Sequence, residues 1–176
     1  RLMPAARDWA ALALLAVLAL GCAGPSTPAT VGPPATPLTQ VTTAIDAARA
    51  ALAAQLTADG FTLSQSSGYE PGQPASLQAV PRAVYELNLA DPNQGWLVIY
   101  DVGTSDGALA AGGDFANYLH TFGHSNYPSD AQFTLNAINS ALVFYWWAAS
   151  RSSEPERAAK AFELISSVGE RIDVSY

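Results

Sequence analysis

The chain has 176 residues, 49% of them apolar and 13% charged, with 15 acids, 8 bases and a single cysteine. A net charge of −7 argues against binding a phosphate backbone, and one cysteine excludes an intrachain disulfide framework and a cysteine-rich zinc site. The charged fraction is about half of the roughly 25% usual for globular domains. Part of the deficit is positional, since no charge occurs between Asp8 and Asp46, yet beyond residue 45 the charged fraction is still only about 15%.

Residues 9–20 (WAALALLAVLAL) are wholly apolar and follow a short segment carrying Arg1 and Arg7. As a helix they would span only about 18 Å of a roughly 30 Å hydrocarbon core, so a secretory signal fits better than a transmembrane helix. The chain opens on Arg1, so Met3 is one candidate start and a longer precursor the other. Residues 18–22 (LALGC) end this run on Cys22, the chain's only cysteine. The segment resembles the lipobox of bacterial lipoproteins, with Ala19 where that family usually has leucine. The resemblance implies cleavage after residue 21, a diacylglyceryl group on Cys22 and attachment to the outer face of the cytoplasmic membrane or to the outer membrane. Residues 23–37 (AGPSTPATVGPPATP) hold five prolines and no charge. They read as a tether that reaches up to roughly 45 Å when extended. The expected organisation is therefore a signal peptide over 1–21, a lipidated cysteine and tether over 22–37, and one domain over 38–176.

Within that domain, Val41, Ile45, Ala48, Leu52 and Leu56 mark a helix stopped at Asp59-Gly60. Phe61 and Leu63 begin a short strand, and residues 66–81, rich in Gly and Pro, read as a loop. Ala83, Tyr85, Leu87 and Leu89 alternate with polar neighbours, predicting a strand with one wet face. Residues 91–95 (DPNQG) turn the chain into an apolar strand from Trp96. Leu109, Gly112, Ala116 and Leu119 predict a second helix ended by Gly123, with Gly112-Gly113 as a close-packing contact. The pattern then recurs. Phe133, Leu135 and Ala137 alternate with Gln132, Thr134 and Asn136, Asn139-Ser140 turns, residues 141–147 (ALVFYWW) form a second apolar strand, and Ser153 with Glu156 forms a capping box for a third helix. Units 82–123 and 130–169 thus read as a duplicated ββα unit after an α-β arm. The fold class expected is α+β, a two-layer sandwich of mainly antiparallel sheet with helices on one face.

Residues 103–107 (GTSDG) match G-x-S-x-G between a strand and a helix, the setting of a nucleophile elbow, with Asp114, His124 and Asp130 as the acids and the histidine that follow. A hairpin strand and the short remaining chain argue against it, and an N-cap role explains Ser105. His120 and His124 share an i, i+4 spacing, but no Glu accompanies them as in H-E-x-x-H, and the spacing of Asp101, Asp106 and Asp114 matches no cation loop. No metal, cofactor or catalytic constellation is expected. Alternation places Trp96, Val98 and Tyr100 with Val143, Tyr145 and Trp147 on one sheet face, opposite Leu97, Ile99, Leu142, Phe144 and Trp146. With helices on one face only, Trp96, Tyr100, Tyr145 and Trp147 form a candidate binding surface for an envelope protein, peptide, lipid, glycan or second protomer. The alternative is that loop 66–81 or the core covers them. The sequence thus points to a membrane-anchored, non-catalytic binding or scaffolding domain. A small serine hydrolase using Ser105 and a solute-binding lipoprotein are the alternatives.

Overall fold

The structure is a computed structural model that describes residues 42–89 and 96–174, with only the backbone at His124. The signal segment, Cys22, the tether and the turn at 91–95 lie outside the described residues. The domain is α+β, with three helices and a six-stranded, wholly antiparallel sheet. In chain order the elements are α1 (Thr43–Leu56), β1 (Leu63–Ser66), β2 (Arg82–Leu87), β3 (Trp96–Asp101), α2 (Ser105–Asn126), β4 (Ala131–Ile138), β5 (Ala141–Ala148), α3 (Pro155–Ser166) and β6 (Glu170–Ile172). The strand order is β1-β2-β3-β5-β4-β6. No helix among the described residues is long and apolar enough to cross a membrane.

Local chemistry accounts for the boundaries. The Thr42 hydroxyl accepts from the Ile45 amide at 3.3 Å and starts α1, and the chain leaves the helix through a 3-10 turn ending at Gly60. Gly123 does not end α2 as expected. A helical glycine costs only about 1 kcal/mol relative to alanine, and the helix runs on until Tyr127, which adopts an extended conformation because Pro128 follows it. Thr104, one residue before the expected Ser105, is the N-cap of α2, accepting from the Gly107 amide at 3.0 Å. Helix α3 likewise starts one residue later than expected, with Glu154 rather than Ser153 at the N-cap and Pro155 at its first position.

The helices do not share one face. Ile45, Ala48, Leu52 and Leu56 of α1 and Ala158, Ala161 and Ile165 of α3 pack on Tyr85, Leu97, Ile99, Val143, Tyr145 and Trp147. Phe115 and Leu119 of α2 pack on the other face, against Val98, Tyr100, Leu142 and Phe144. The result is a three-layer sandwich, and the expected wet faces of β2 and β4 are covered: Val84, Thr134 and Asn136 are all buried. Hairpins β2-β3 and β4-β5 meet through the antiparallel β3-β5 pair. A half-turn normal to the sheet exchanges the hairpins but leaves α2 and α3 on opposite faces, so the two ββα stretches do not superpose as whole units.

Two close approaches fix the outer layers. A Cβ on Gly112 would strike Ile172 and lie 3.3 Å from Leu142, so α2 crosses β5 and β6 at a residue without a side chain. Gly113 has open space beside it, so only the first glycine of the pair makes the expected contact. Gly169, at φ +81°, turns the chain from α3 into β6, an edge strand that periodicity does not reveal.

Asn136 is fully buried beneath the end of α3. Its amide faces the carbonyls of Ile165, Ser166 and Val168 at 3.3, 3.1 and 2.8 Å, and its oxygen accepts from the Thr134 hydroxyl at 2.6 Å. One side chain thereby satisfies carbonyls that a helix end leaves without partners. Asn136→Ala is expected to cost about 1–3 kcal/mol, the penalty for buried polar groups left unpaired. A urea titration would read it as a lower midpoint with an unchanged slope, whereas Gln132→Ala, at the exposed start of β4, should leave the midpoint in place.

Candidate functional site

The residues of the hydrolase alternative are held apart by one helix. Ser105 opens α2 and His124 lies in its last turn, nineteen residues on, so their backbones are about 28 Å apart at 1.5 Å per residue. Asp114 lies between them on the same helix and is exposed, and Ser105 is exposed as well. Asp130 is committed elsewhere, accepting from the Ser150 amide at 2.7 Å and the Ser150 hydroxyl at 2.6 Å. Asp101 accepts from the Gly103 amide at 3.0 Å in the turn before α2. Among the described residues no group of three or more His, Cys, Asp or Glu side chains could hold a metal ion.

The aromatic platform is divided between the two faces. Leu97 lies opposite Tyr145 and Val98 opposite Phe144, so Trp96 and Tyr100 share a face with Phe144 and Trp146, not with Tyr145 and Trp147. Tyr145 and Trp147 are buried beneath α1 and α3, and burial pushes the Tyr145 hydroxyl well above its ordinary pKa. Tyr100 is fully buried, and Trp96 is half-buried.

Loop 66–81 is what covers Trp96 and Tyr100. Tyr69 stacks flat on Trp96, with centroids 5.1 Å apart and planes 2° from parallel, and its hydroxyl accepts from Trp146 Nε1 at 3.1 Å. Glu70 pairs with the buried Arg82 at 2.6 Å. Tyr100 donates to Gln73 at 2.8 Å, and Leu77 is buried in a 3-10 turn over the same face. Helix α2 covers the β4, β5 and β6 side of this face and the loop covers the β2 and β3 side.

A groove runs along the seam between these two covers. Its inner part, about 330 Å³, is lined by Tyr69, Glu70, Gly72, Tyr118, Asn126, Tyr127 and Trp146. A second part, about 400 Å³, shares Tyr118 and continues past Asp114, Asn117, Thr121 and Phe122, with Pro74 to Ser76 on its other wall. Tyr127 donates to the Gly72 carbonyl at 3.4 Å, and Asn126 donates to the Tyr118 hydroxyl at 3.2 Å. Burial raises the pKa of the Tyr69 and Tyr127 hydroxyls. Among the described catalytic candidates, Asp114 borders the groove. The rest of its lining escaped the sequence reading, although Tyr118 and Phe122 have the i, i+4 spacing of neighbours on a helix surface, with centroids 5.3 Å apart.

Comparison with protein-family models, curated proteins and solved structures yields no match.

Two measurements follow from these placements. Thr104→Ala is expected to lower stability by about 1 kcal/mol through loss of the cap, while Ser105→Ala stays within about 0.5 kcal/mol of the parent, as thermal unfolding of both variants would register. The Ser150 bonds hold the Asp130 carboxyl below its ordinary pKa. A carboxylate so depressed contributes stability that is present above its unfolded pKa of about 3.9 and is lost as pH falls through the folded value. The difference in urea midpoint between the parent and Asp130→Asn should therefore be constant at neutral pH and shrink on acidification below that range.

Proposed function

We propose that the chain is a bacterial envelope lipoprotein whose folded domain binds a ligand and does not catalyse a reaction. The observation that carries the binding reading is the groove between α2 and loop 66–81, where tyrosine hydroxyls, an amide and carboxylates converge among aromatic rings. The groove favours the solute-binding alternative over a flat aromatic scaffolding surface, because the sheet aromatics that would have formed that surface lie largely beneath helices and loop. The hydrolase alternative loses support from the distance between Ser105 and His124 along α2.

The anchor reading rests on residues 18–22 and on the position of the single cysteine after an apolar run. A diacylglyceryl group together with an amide-linked acyl chain on Cys22 would hold the protein firmly, since one chain alone gives only marginal binding. Metabolic labelling with an alkynyl palmitate, in a bacterium that processes lipoproteins, tests the anchor. Label and membrane fractionation are expected for the parent and absent for Cys22→Ala. Label retained by Cys22→Ala, or absent from both proteins, would overturn it.

A further inference from the structure

We propose that the groove between α2 and loop 66–81 is a binding site for an uncharged oligosaccharide, an assignment that rests on the binding-domain reading and specifies its ligand class. The inner part is built from edges of side chains rather than faces. Tyr118 Oη, Tyr127 Oη and Asn126 Nδ2 lie 3.1, 3.5 and 3.7 Å from the point where a Cβ on Gly72 would stand. Gly72 presents no side chain to these groups, which already form a small network in which Tyr127 donates to the Gly72 carbonyl and Asn126 donates to the Tyr118 hydroxyl. Such groups both donate and accept, which matches the alternating demands of a sugar's hydroxyls.

The ring faces nearby are already used within the protein. Tyr69 is stacked on Trp96, and Tyr127 meets Trp146 edge to face at 5.1 Å. An aromatic cage for an ammonium group needs free ring faces around one point, and the inner groove offers hydroxyls there instead. The outer part supplies the complementary feature: Phe122 is 51% exposed and leans on Tyr118, giving an accessible ring on which the C–H face of a second sugar can stack. No described lysine or arginine lines either part, while Glu70 and Asp114 both do, so an anionic ligand is disfavoured. A peptide captured by strand addition, one of several modes of peptide recognition, would need a sheet edge. The edges here are β1 and β6, and the groove is walled by a helix and a loop over the inner strand β5.

The test is titration of the full chain, ¹⁵N-labelled, with a panel of neutral hexose and N-acetylhexosamine oligosaccharides. At least one is expected to bind one-to-one and to move amide signals of residues 69–76 and 114–126. Its affinity should fall by about tenfold or more in Phe122→Ala and in Tyr118→Phe, each removing one stacking or hydrogen-bonding contact. Unfolding midpoints near the parent's would show that neither variant acts through the fold, and Phe122 is exposed enough to keep that control meaningful. Failure of every oligosaccharide to bind at millimolar concentration, or undiminished binding by both variants, would overturn the proposal. A peptide digest of envelope extract that moved the same signals, where the sugars did not, would sink the saccharide assignment but leave the binding-domain reading standing. If neither sugars nor extract moved them, both would fall.

Discussion

Strand β5 is buried along all eight of its residues, on both faces, and this determines how the rest of the molecule is arranged. It presents Leu142, Phe144 and Trp146 to one side and Val143, Tyr145 and Trp147 to the other. Leaving either set in water would forfeit about 1.5–3 kcal/mol for each large side chain, so the sheet needs a layer on both sides. One layer is made by α1 and α3 together. The other has a single helix, and α2 crosses only half of that face. Loop 66–81 supplies the remainder, and because it is a loop it covers the sheet with rings and hydroxyls rather than an aliphatic stripe.

The polar residues inside the sheet act as fastenings for these layers. Asn136, buried under α3, holds that helix's last carbonyls to β4. Arg82, buried at the start of β2, reaches outward to Glu70 and pins the loop, and Tyr100 does the same through Gln73. Each fastening joins a strand to the helix or loop that covers it. A buried amide or guanidinium without such a partner would oppose folding. These contacts therefore select one placement of helix and loop over others that bury similar apolar area.

The three helices and every strand but β6 were legible because periods of 2 and 3.6 survive in the residues themselves. The α+β class and the β2-β3 and β4-β5 hairpins follow from them. Layer assignment was not legible, since it depends on pairing between strands distant in sequence. The register of β3 on β5 sets Val98 against Phe144, and an alignment shifted by one residue sends half the aromatics to the wrong face. Thr134 and Asn136 have the composition of a wet face, and only the arrival of α3 above them makes that face dry. The end of α2 was set by Pro128 acting on Tyr127, a stronger local constraint than the glycine four residues earlier. Ser105 and His124 looked like partners in chain order, but a continuous helix keeps them at opposite ends.

The groove was hidden for a related reason. It belongs to neither of its walls, since Tyr69 and Gly72 come from the loop and Tyr118, Asn126 and Tyr127 from α2 and its end, about fifty residues later. Neither segment carries a motif. The groove is the seam left where two dissimilar covers meet over one half-shielded aromatic sheet. The same sparse charge that marks the sequence shapes this seam, because a domain that spends its strands on two-sided burial has few lysines and arginines to place there. The charges that do reach it are the carboxylates of Glu70 and Asp114, and the remaining polarity comes from neutral hydroxyls and amides. The composition that makes the sheet require two covers thus also makes the gap between them a site suited to a neutral, hydroxyl-bearing ligand.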